Sequence, residues 1–303
     1  MSPGLAGFSD EIVTIVNRTA PSIVAVHGNR RFPSSGVHWR KGLVVTSEQA
    51  IRKEEEITLS VENGKTTQAT LVGRDAGTDL ALLRADLDLP VVDHTTEVPR
   101  VGDFTLITGR SPNSGPNAAL GIISAVSGPW RTWRGGHLGR YIRLDATLYD
   151  GSEGGAVLHH SGSVLGIATG TLSRVAGLAI PATDVNRIVD LLLEKGSIPR
   201  PYLGVGLQSV PLPESFTQRL SIGGTHGTMV LSLEKDGPAE KAGIFVGDIL
   251  FELDSTPTGD VGDIQTILAP HTVGKSLKAR IIRGGELAEA TITIGERQDR
   301  GRS

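Results

Sequence analysis

The chain contains no cysteine, few aromatic residues (4% Phe, Trp and Tyr), no long apolar run and no excess of charge of either sign. Without cysteine there is no disulfide, no thiolate nucleophile and no Cys-ligated zinc. No apolar segment approaches the about 20 residues a membrane-spanning helix needs, so no membrane span is expected. Thirty Lys and Arg against 33 Asp and Glu leave a formal net charge of −3. That supplies no global positive field to hold a phosphate backbone, and nucleic acid is not an expected partner. What the 303 residues do contain is 39 glycines and a 38% hydrophobic share beside 21% charged residues. This is the make-up of a soluble globular protein rich in short strands and tight turns, long enough for two folded units.

The pattern along the chain supports that division. Ile12, Ile15, Val16 and Thr19 share one face of an expected helix from Asp10 to Thr19, with Ser9 and the acidic Asp10 and Glu11 at its start. From Ile23 to Ala182 the period changes to about ten short β-rich runs without intervening helices, the mark of an antiparallel barrel or sandwich. A second helix follows, with Thr183 as the expected N-cap, an apolar stripe through Val185, Ile188, Val189, Leu192 and Leu193, and Gly196 as its stop. The Gly196–Pro201 stretch, with two prolines in three residues, reads as a linker at 197–201. A smaller α+β unit is expected over 202–296, with strands near Leu203–Leu207, Thr228–Leu233, Asp248–Leu253, Leu277–Ile282 and Ala290–Ile294. Short helices are expected near Ala239–Ala242 and Val261–Leu268, and a polar, disordered tail over 297–303. Met1 to Asp10 has neither a basic nor an apolar leader segment, so no secretory signal is expected there, and the compartment read from these residues is the cytoplasm.

Several segments stand in the order and spacing of one family. Pro21-Ser-Ile-Val24, Ser34-Ser-Gly36 and Leu43-Val-Val-Thr46 are followed by Thr78-Asp-Leu-Ala-Leu-Leu83, Val101-Gly-Asp103 and Gly177-Leu-Ala-Ile-Pro181. Downstream stand Tyr202-Leu-Gly-Val205 and Gly237-Pro-Ala-Glu-Lys-Ala-Gly243 with Gly247-Asp248. Together they resemble the HtrA (DegP-like) serine proteases over about Ser9 to Glu296. The resemblance implies a mainly β chain: two six-stranded antiparallel chymotrypsin-like barrels over 1–196, then a PDZ domain. It also implies protein quality control, assembly through the protease domains (commonly a trimer) and a periplasmic or extracytoplasmic setting.

Serine-protease chemistry needs a hydroxyl nucleophile, an imidazole to move its proton and a carboxylate to orient the imidazole. By resemblance Asp79 holds the acid position. Where the family has T-N-A-H-V-V the chain reads Thr46-Ser-Glu-Gln-Ala-Ile51, placing Gln49 at the base, and a carboxamide is no base near neutral pH. Where the family has G-N-S-G-G-P-L it reads Gly151-Ser-Glu-Gly-Gly-Ala-Val157, placing Glu153 at the nucleophile beside Gly151 of a vestigial oxyanion loop. Ser152 is one residue early, aimed away from the donors that would hold an oxyanion. His27, His38, His94, His137, His159 and His160 lie off the expected turn and read as surface or structural histidines. Glu153 is expected to point toward Gln49 and Asp79. There it raises a carboxyl pKa, recruits a cation, remains a solvated remnant, or accepts backbone N–H bonds at the oxyanion position. Oxygen ligands there are few, so neither a metal site nor a cofactor is expected.

These residues lead to a pseudoprotease whose working part is the second unit. By resemblance, the N–H groups of Tyr202, Leu203, Gly204 and Val205 hold a terminal carboxylate with Arg200 nearby, and Ile264, Ile267 and Leu268 form an apolar wall. The same Leu203, Val205 and Ile264 are also placed to fill the small domain's core. Peptides or protein C-termini are the expected partners, together with copies of the chain or an active relative in a mixed oligomer. The rival reading is a serine endopeptidase with a non-standard site. The Trp130–Arg134 run, with Trp133 and its arginines, is either an interaction patch or a loop packed on its own barrel.

Overall fold

A computed structural model describes residues 4–28, 34–52, 55–111, 115–149, 151–268 and 272–297. It divides into two compact units, Met1–Ile198 and Pro199–Ser303. Among the described residues no helix is long and apolar enough to cross a membrane.

The first unit opens with helix α1 (Leu5–Thr19), which starts ahead of the expected Asp10 and takes Ser9 into its interior. Phe8 accounts for the extension: its ring packs on Phe104 at 5.6 Å, carrying the apolar face back beyond Ile12. Six strands then close a barrel: β1 (Ile23–His27), β2 (Ser34–Arg40), β3 (Leu43–Ser47), β4 (Ile57–Ser60), β5 (Thr66–Asp75) and β6 (Leu80–Ala85). Their order is β1-β2-β3-β6-β5-β4, antiparallel throughout. Val24, Val26, Val44, Ile57, Leu59 and Leu83 fill it.

Strand β2 carries no apolar alternation, because Ser34, Ser35 and His38 are buried in it along with Val37 and Trp39. Each buried polar group needs a partner. Ser35 Oγ donates to Gly151 O at 2.5 Å, while His38 places Nδ1 3.0 Å from Pro90 O and accepts from Gly42 N at 3.1 Å.

The second barrel comprises β7 (Phe104–Ser111) and β8 (Gly115–Ser127), then β11 (Tyr141–Asp145), β12 (Ala156–Leu158), β13 (Val164–Thr169) and β14 (Gly177–Pro181). It closes in the order β11-β14-β13-β12-β7-β8, and between β8 and β11 a short ribbon forms from β9 (Trp130–Arg131) and β10 (His137–Leu138). Ile107, Ile123, Ile142, Leu144, Val157 and Leu165 occupy its interior. Helix α2 (Ala182–Lys195) begins one residue before the expected cap: Pro181, with φ −58°, is the N-cap, and Thr183 lies inside the first turn. Gly196 at φ +71° ends it as expected. Its face of Val185, Ile188, Val189 and Leu192 joins outward residues of both barrels, Trp39 and Leu82 from one and Ile167 and Ile180 from the other, in one shared core.

The second unit is α+β. Strands β15 (Pro201–Tyr202), β16 (Val205–Pro211), β17 (His226–Leu233), β18 (Ile249–Leu253), β19 (Thr256–Pro257), β20 (Ser276–Arg283), β21 (Glu286–Thr293) and β22 (Gly295–Glu296) alternate with helices. The helices are α3 (Glu214–Leu220), α4 (Pro238–Lys241) and α5 (Val261–Ile267). The main sheet runs β16-β17-β18-β20-β21, which leaves β16 at an edge. Strand β15 pairs with β22, tying the two ends of the unit together. Helix α3, absent from the sequence reading, covers a small separate cluster of Leu212, Ile222, Phe251 and Ile282. The expected disordered tail beyond residue 297 lies outside the described residues.

Candidate functional site

The cleft residues of the first unit come from the turns that leave the strands. After β3 the chain enters a 3₁₀ turn, Glu48–Ala50, that carries Gln49. Before β6 Asp79 adopts φ +58°, a left-handed conformation that aspartate tolerates better than most residues. Asp75 prepares that turn by accepting from Gly77 N, Thr78 N and Thr78 Oγ1.

The Asp79 carboxylate is fully buried. Ser47 Oγ lies 2.9 and 3.0 Å from its two oxygens, Thr169 Oγ1 donates at 2.7 Å, and Gln49 N approaches at 3.4 Å. Burial pushes its pKa up to about 6, against the pull of these hydrogen bonds and with a further push from the Glu48 charge.

The Gln49 carboxamide meets a cation. The hydrogen-bond network turns its carboxamide oxygen toward Arg134, accepting from Nη1 at 3.2 Å and from Nη2. Arg134 also faces Glu48 Oε2 at 3.5 Å, and Glu48 Oε1 lies 3.9 Å from Arg74. A guanidinium only donates, which is why it draws the amide oxygen.

Glu153 sits on a turn between two glycines in left-handed conformations, Gly151 at φ +88° and Gly154 at φ +75°. A Cβ at Gly154 would stand 2.4 Å from Ser35 O, so the approach of β2 requires glycine there. Glu153 O accepts from Ser35 N at 2.8 Å, and its side-chain Oε1 accepts from Gly170 N at 2.8 Å, just beyond Ala168, which pairs with Gly154 and Gly155. A backbone N–H partner was among the expected alternatives. The donor, however, follows β13 on the cleft wall rather than lying in the Gly151 loop, and the carboxylate is turned to that wall rather than to Asp79. Ser152 is buried in the same turn, its N–H on Tyr149 O at 2.9 Å. Among the described residues no histidine ring hydrogen-bonds to Asp79 or Ser152. His27 pairs with Ser60, His94 with Asn186, and His159 with Ser161.

The resulting cleft, about 420 Å³, is lined by Gln49, Leu148, Glu153, Gly170, Thr171 and Arg174 among others. The Trp-Arg run borders it. Thr132 Oγ1 donates to Gly77 O at 2.6 Å, Trp133 Nε1 donates to Thr171 O at 3.1 Å, and Arg134 lies 5.0 Å from the Trp133 ring. Trp130 packs edge-on against Tyr141. Sequence reasoning missed Ser47, Thr169 and the role of Arg134, because contacts between distant turns leave no local periodicity.

In the second unit a groove of about 450 Å³ runs between edge strand β16 and helix α5. Tyr202, Leu203, Gly204, Val205, Ile264 and Leu268 line it, as expected by resemblance. Leu203 and Ile264 are also core residues, at 3% and 2% exposure. Ile267 packs on that core and is not in the groove lining. Nor is Arg200, whose carbonyl accepts from Arg297 N. Arg297, unmarked in the sequence reading, lines the groove and lies 5.8 Å from the Tyr202 ring. Gly204 holds φ +74°, the left-handed turn that leads the loop into β16.

Two closed barrels with a buried aspartate in the cleft, followed by a sheet with an open edge beside a helix, define a trypsin-like domain joined to a PDZ domain. A trypsin-like peptidase domain model matches residues 34–167 and a PDZ domain model residues 201–294. The serine protease Do-like HtrA of Lactobacillus helveticus is 31% identical over 274 residues, covering 84% of this chain and 65% of that protein. A probable periplasmic serine endoprotease DegP-like of Rickettsia conorii is 30% identical, and the chain spans 51% of its length. The serine endoprotease DegS of Haemophilus influenzae is 28% identical, covering 95% of this chain and 89% of that protein. Among solved structures, the serine endoprotease from Yersinia pestis superposes with a TM-score of 0.77 at 30% identity, covering 94% of this chain and 98% of that one. The HtrA-type protease AlgW with decapeptide gives 0.74 at 25% identity, covering 94% and 98%. The chain belongs to the HtrA family.

Proposed function

We propose that the chain is a non-proteolytic HtrA-family protein that binds extended peptides or protein C-termini along its PDZ groove, with the two-barrel unit as a scaffold for assembly. The observation that carries this reading is the hydrogen bond from Gly170 N to Glu153 Oε1 at 2.8 Å. It commits the side chain at the nucleophile position to the cleft wall, while Gln49, at the base position, is held by Arg134. No group at these positions forms an acyl intermediate by the serine-histidine route.

Edge strand β16 supports the binding half of the reading. An added peptide strand takes its backbone bonds from that edge, its carboxylate meets the turn at Gly204, and its terminal side chain enters the apolar part of the groove. A solved relative, AlgW, carries a decapeptide by its own description. Assembly into a homo-oligomer, or with an active relative, rests on family resemblance, as does a periplasmic setting. The rival reading, a serine endopeptidase with a non-standard site, is favoured by the endoprotease names of the relatives.

Incubation of the purified full chain with casein, beside a C-terminal peptide display screen on the same preparation, separates the two. The proposal expects enriched apolar C-termini and intact casein. Steady casein cleavage that is lost on altering Glu153 contradicts it.

A further inference from the structure

Away from both sites, Asp103, His159 and His160 bring one ligand atom each to within 4.8 Å of one another. The fold makes this meeting obligatory. Strands β7 and β12 are antiparallel with Leu106 opposite Leu158. β12 ends at Leu158, and the turn that follows carries His159 and His160 beside the start of β7, next to Asp103. The turn between β12 and β13 is tight, with His159 N donating to Ser163 O at 2.8 Å and Gly162 N to His159 O at 2.7 Å.

His159 is 97% buried, and its Nε2 has no hydrogen-bond partner among the described residues. A buried imidazole nitrogen without a partner is costly unless something else engages it. The other nitrogen, Nδ1, lies 3.0 Å from Ser161 Oγ. Ser161 N also approaches Nδ1, at 3.4 Å, as a donor. In the tautomer that gives up this long contact and donates Nδ1–H to the hydroxyl, the Nε2 lone pair is left for a Lewis acid, the arrangement that orients metal-binding histidines. A cavity of about 140 Å³ lies alongside, with both histidines, Phe104 and Glu11 of α1 on its wall.

We propose that Asp103, His159 and His160 form a binding site for a divalent transition metal of the zinc class. Two imidazoles and a carboxylate are a ligand set zinc accepts, and water or Glu11 completes four-coordination. Bonds of about 2.0–2.2 Å require the ligand atoms to close in from their present spacing. The exposed His160 and the Asp103 side chain supply that movement. Asp103 now accepts from Arg100 N at 2.7 Å and from the Arg100 guanidinium at 2.9 Å, the latter from an 80% exposed side chain, so the metal has to displace the guanidinium contact. The site would clamp the start of β7 to the β12–β13 turn under α1, whose Arg18 already donates to Ser161 O at 3.1 Å.

The test is a zinc chloride titration of the full chain against a chromophoric chelator. The proposal expects one zinc per chain, with affinity at least tenfold weaker in both His160→Ala and Asp103→Asn and unchanged in His226→Ala. These variants spare the buried His159, so folding is kept, and circular dichroism verifies it. No stoichiometric binding by the wild type overturns the proposal, as does binding that either the His160 or the Asp103 variant leaves unaltered.

Discussion

Glu153 Oε1 accepts a hydrogen bond from Gly170 N at 2.8 Å, so the residue that resemblance places at the nucleophile position is bonded to the neighbouring end of β13. On the proposed reading, this contact and the one between Gln49 and Arg134 stand where hydrolysis would need a chain of proton transfers.

Restoring the missing groups must therefore be done together. Glu153→Ser alone places a hydroxyl beside an amide and stays inert. The double variant Gln49→His with Glu153→Ser is expected to hydrolyse an unfolded substrate at least about 100-fold faster than either single change. Adding Arg134→Ala raises the rate again, because a guanidinium beside the new imidazole opposes the imidazolium that must form. Rates measured by release of a fluorogenic peptide check all four proteins.

Asp79 makes stability depend on pH in a particular direction. Its ordinary value is 3.8 and burial pushes it up to about 6, so between these values the folded state holds the proton that the unfolded state has lost. Stability falls as pH rises through that window, and above about 6 the full cost, on the order of 3 kcal/mol, is present. Asp79→Asn lacks this dependence. Its unfolding free energy relative to wild type should shift in its favour by about 2–3 kcal/mol from pH 4 to pH 7 in urea titrations.

The ribbon that carries Arg134 depends on close backbone contact. A Cβ at Gly136 would lie 2.3 Å from Gly77 O, and backbone atoms there have no flexible way to yield. Gly136→Ala should cost about 1–3 kcal/mol in chemical denaturation, whereas Gly128→Ala, with open space around it, should cost far less.

For the PDZ groove, amidating the C-terminus of a bound peptide should weaken it at least about tenfold, since the N–H groups near Gly204 then face a neutral group. Leu268→Asp, on the groove wall and only partly buried, should abolish binding at a smaller cost in stability. Ile264→Ala, at a core position, should instead lower stability by about 2–5 kcal/mol. Fluorescence anisotropy and thermal melts distinguish the two effects.

The apolar runs of most barrel strands made an antiparallel barrel or sandwich legible, and the two-barrel architecture followed from the family resemblance carried by the spaced motifs. Two barrel strands escaped. In β2 buried Ser34, Ser35 and His38 are satisfied by contacts far away in the chain, and β12 is only three residues long. The residue types at the positions that resemblance assigns to base and nucleophile could be read directly, but the orientation of their side chains could not. Gln49 is met by Arg134, some eighty positions on, and Glu153 by a main-chain N–H that carries no sequence signature. Helix α3 was missed for a similar reason: it covers an outlying cluster and buries no residue of its own. The groove residues were accessible through the Tyr202-Leu-Gly-Val205 match, while Arg297 became visible only when β22 returned to pair with β15.

Intact-protein mass spectrometry after exposure of the pure chain to a fluorophosphonate probes the central claim most directly. Without an activated hydroxyl the mass is expected to stay unchanged even after prolonged exposure. A single stoichiometric adduct mapping to Ser152 would show that the cleft possesses a working nucleophile after all.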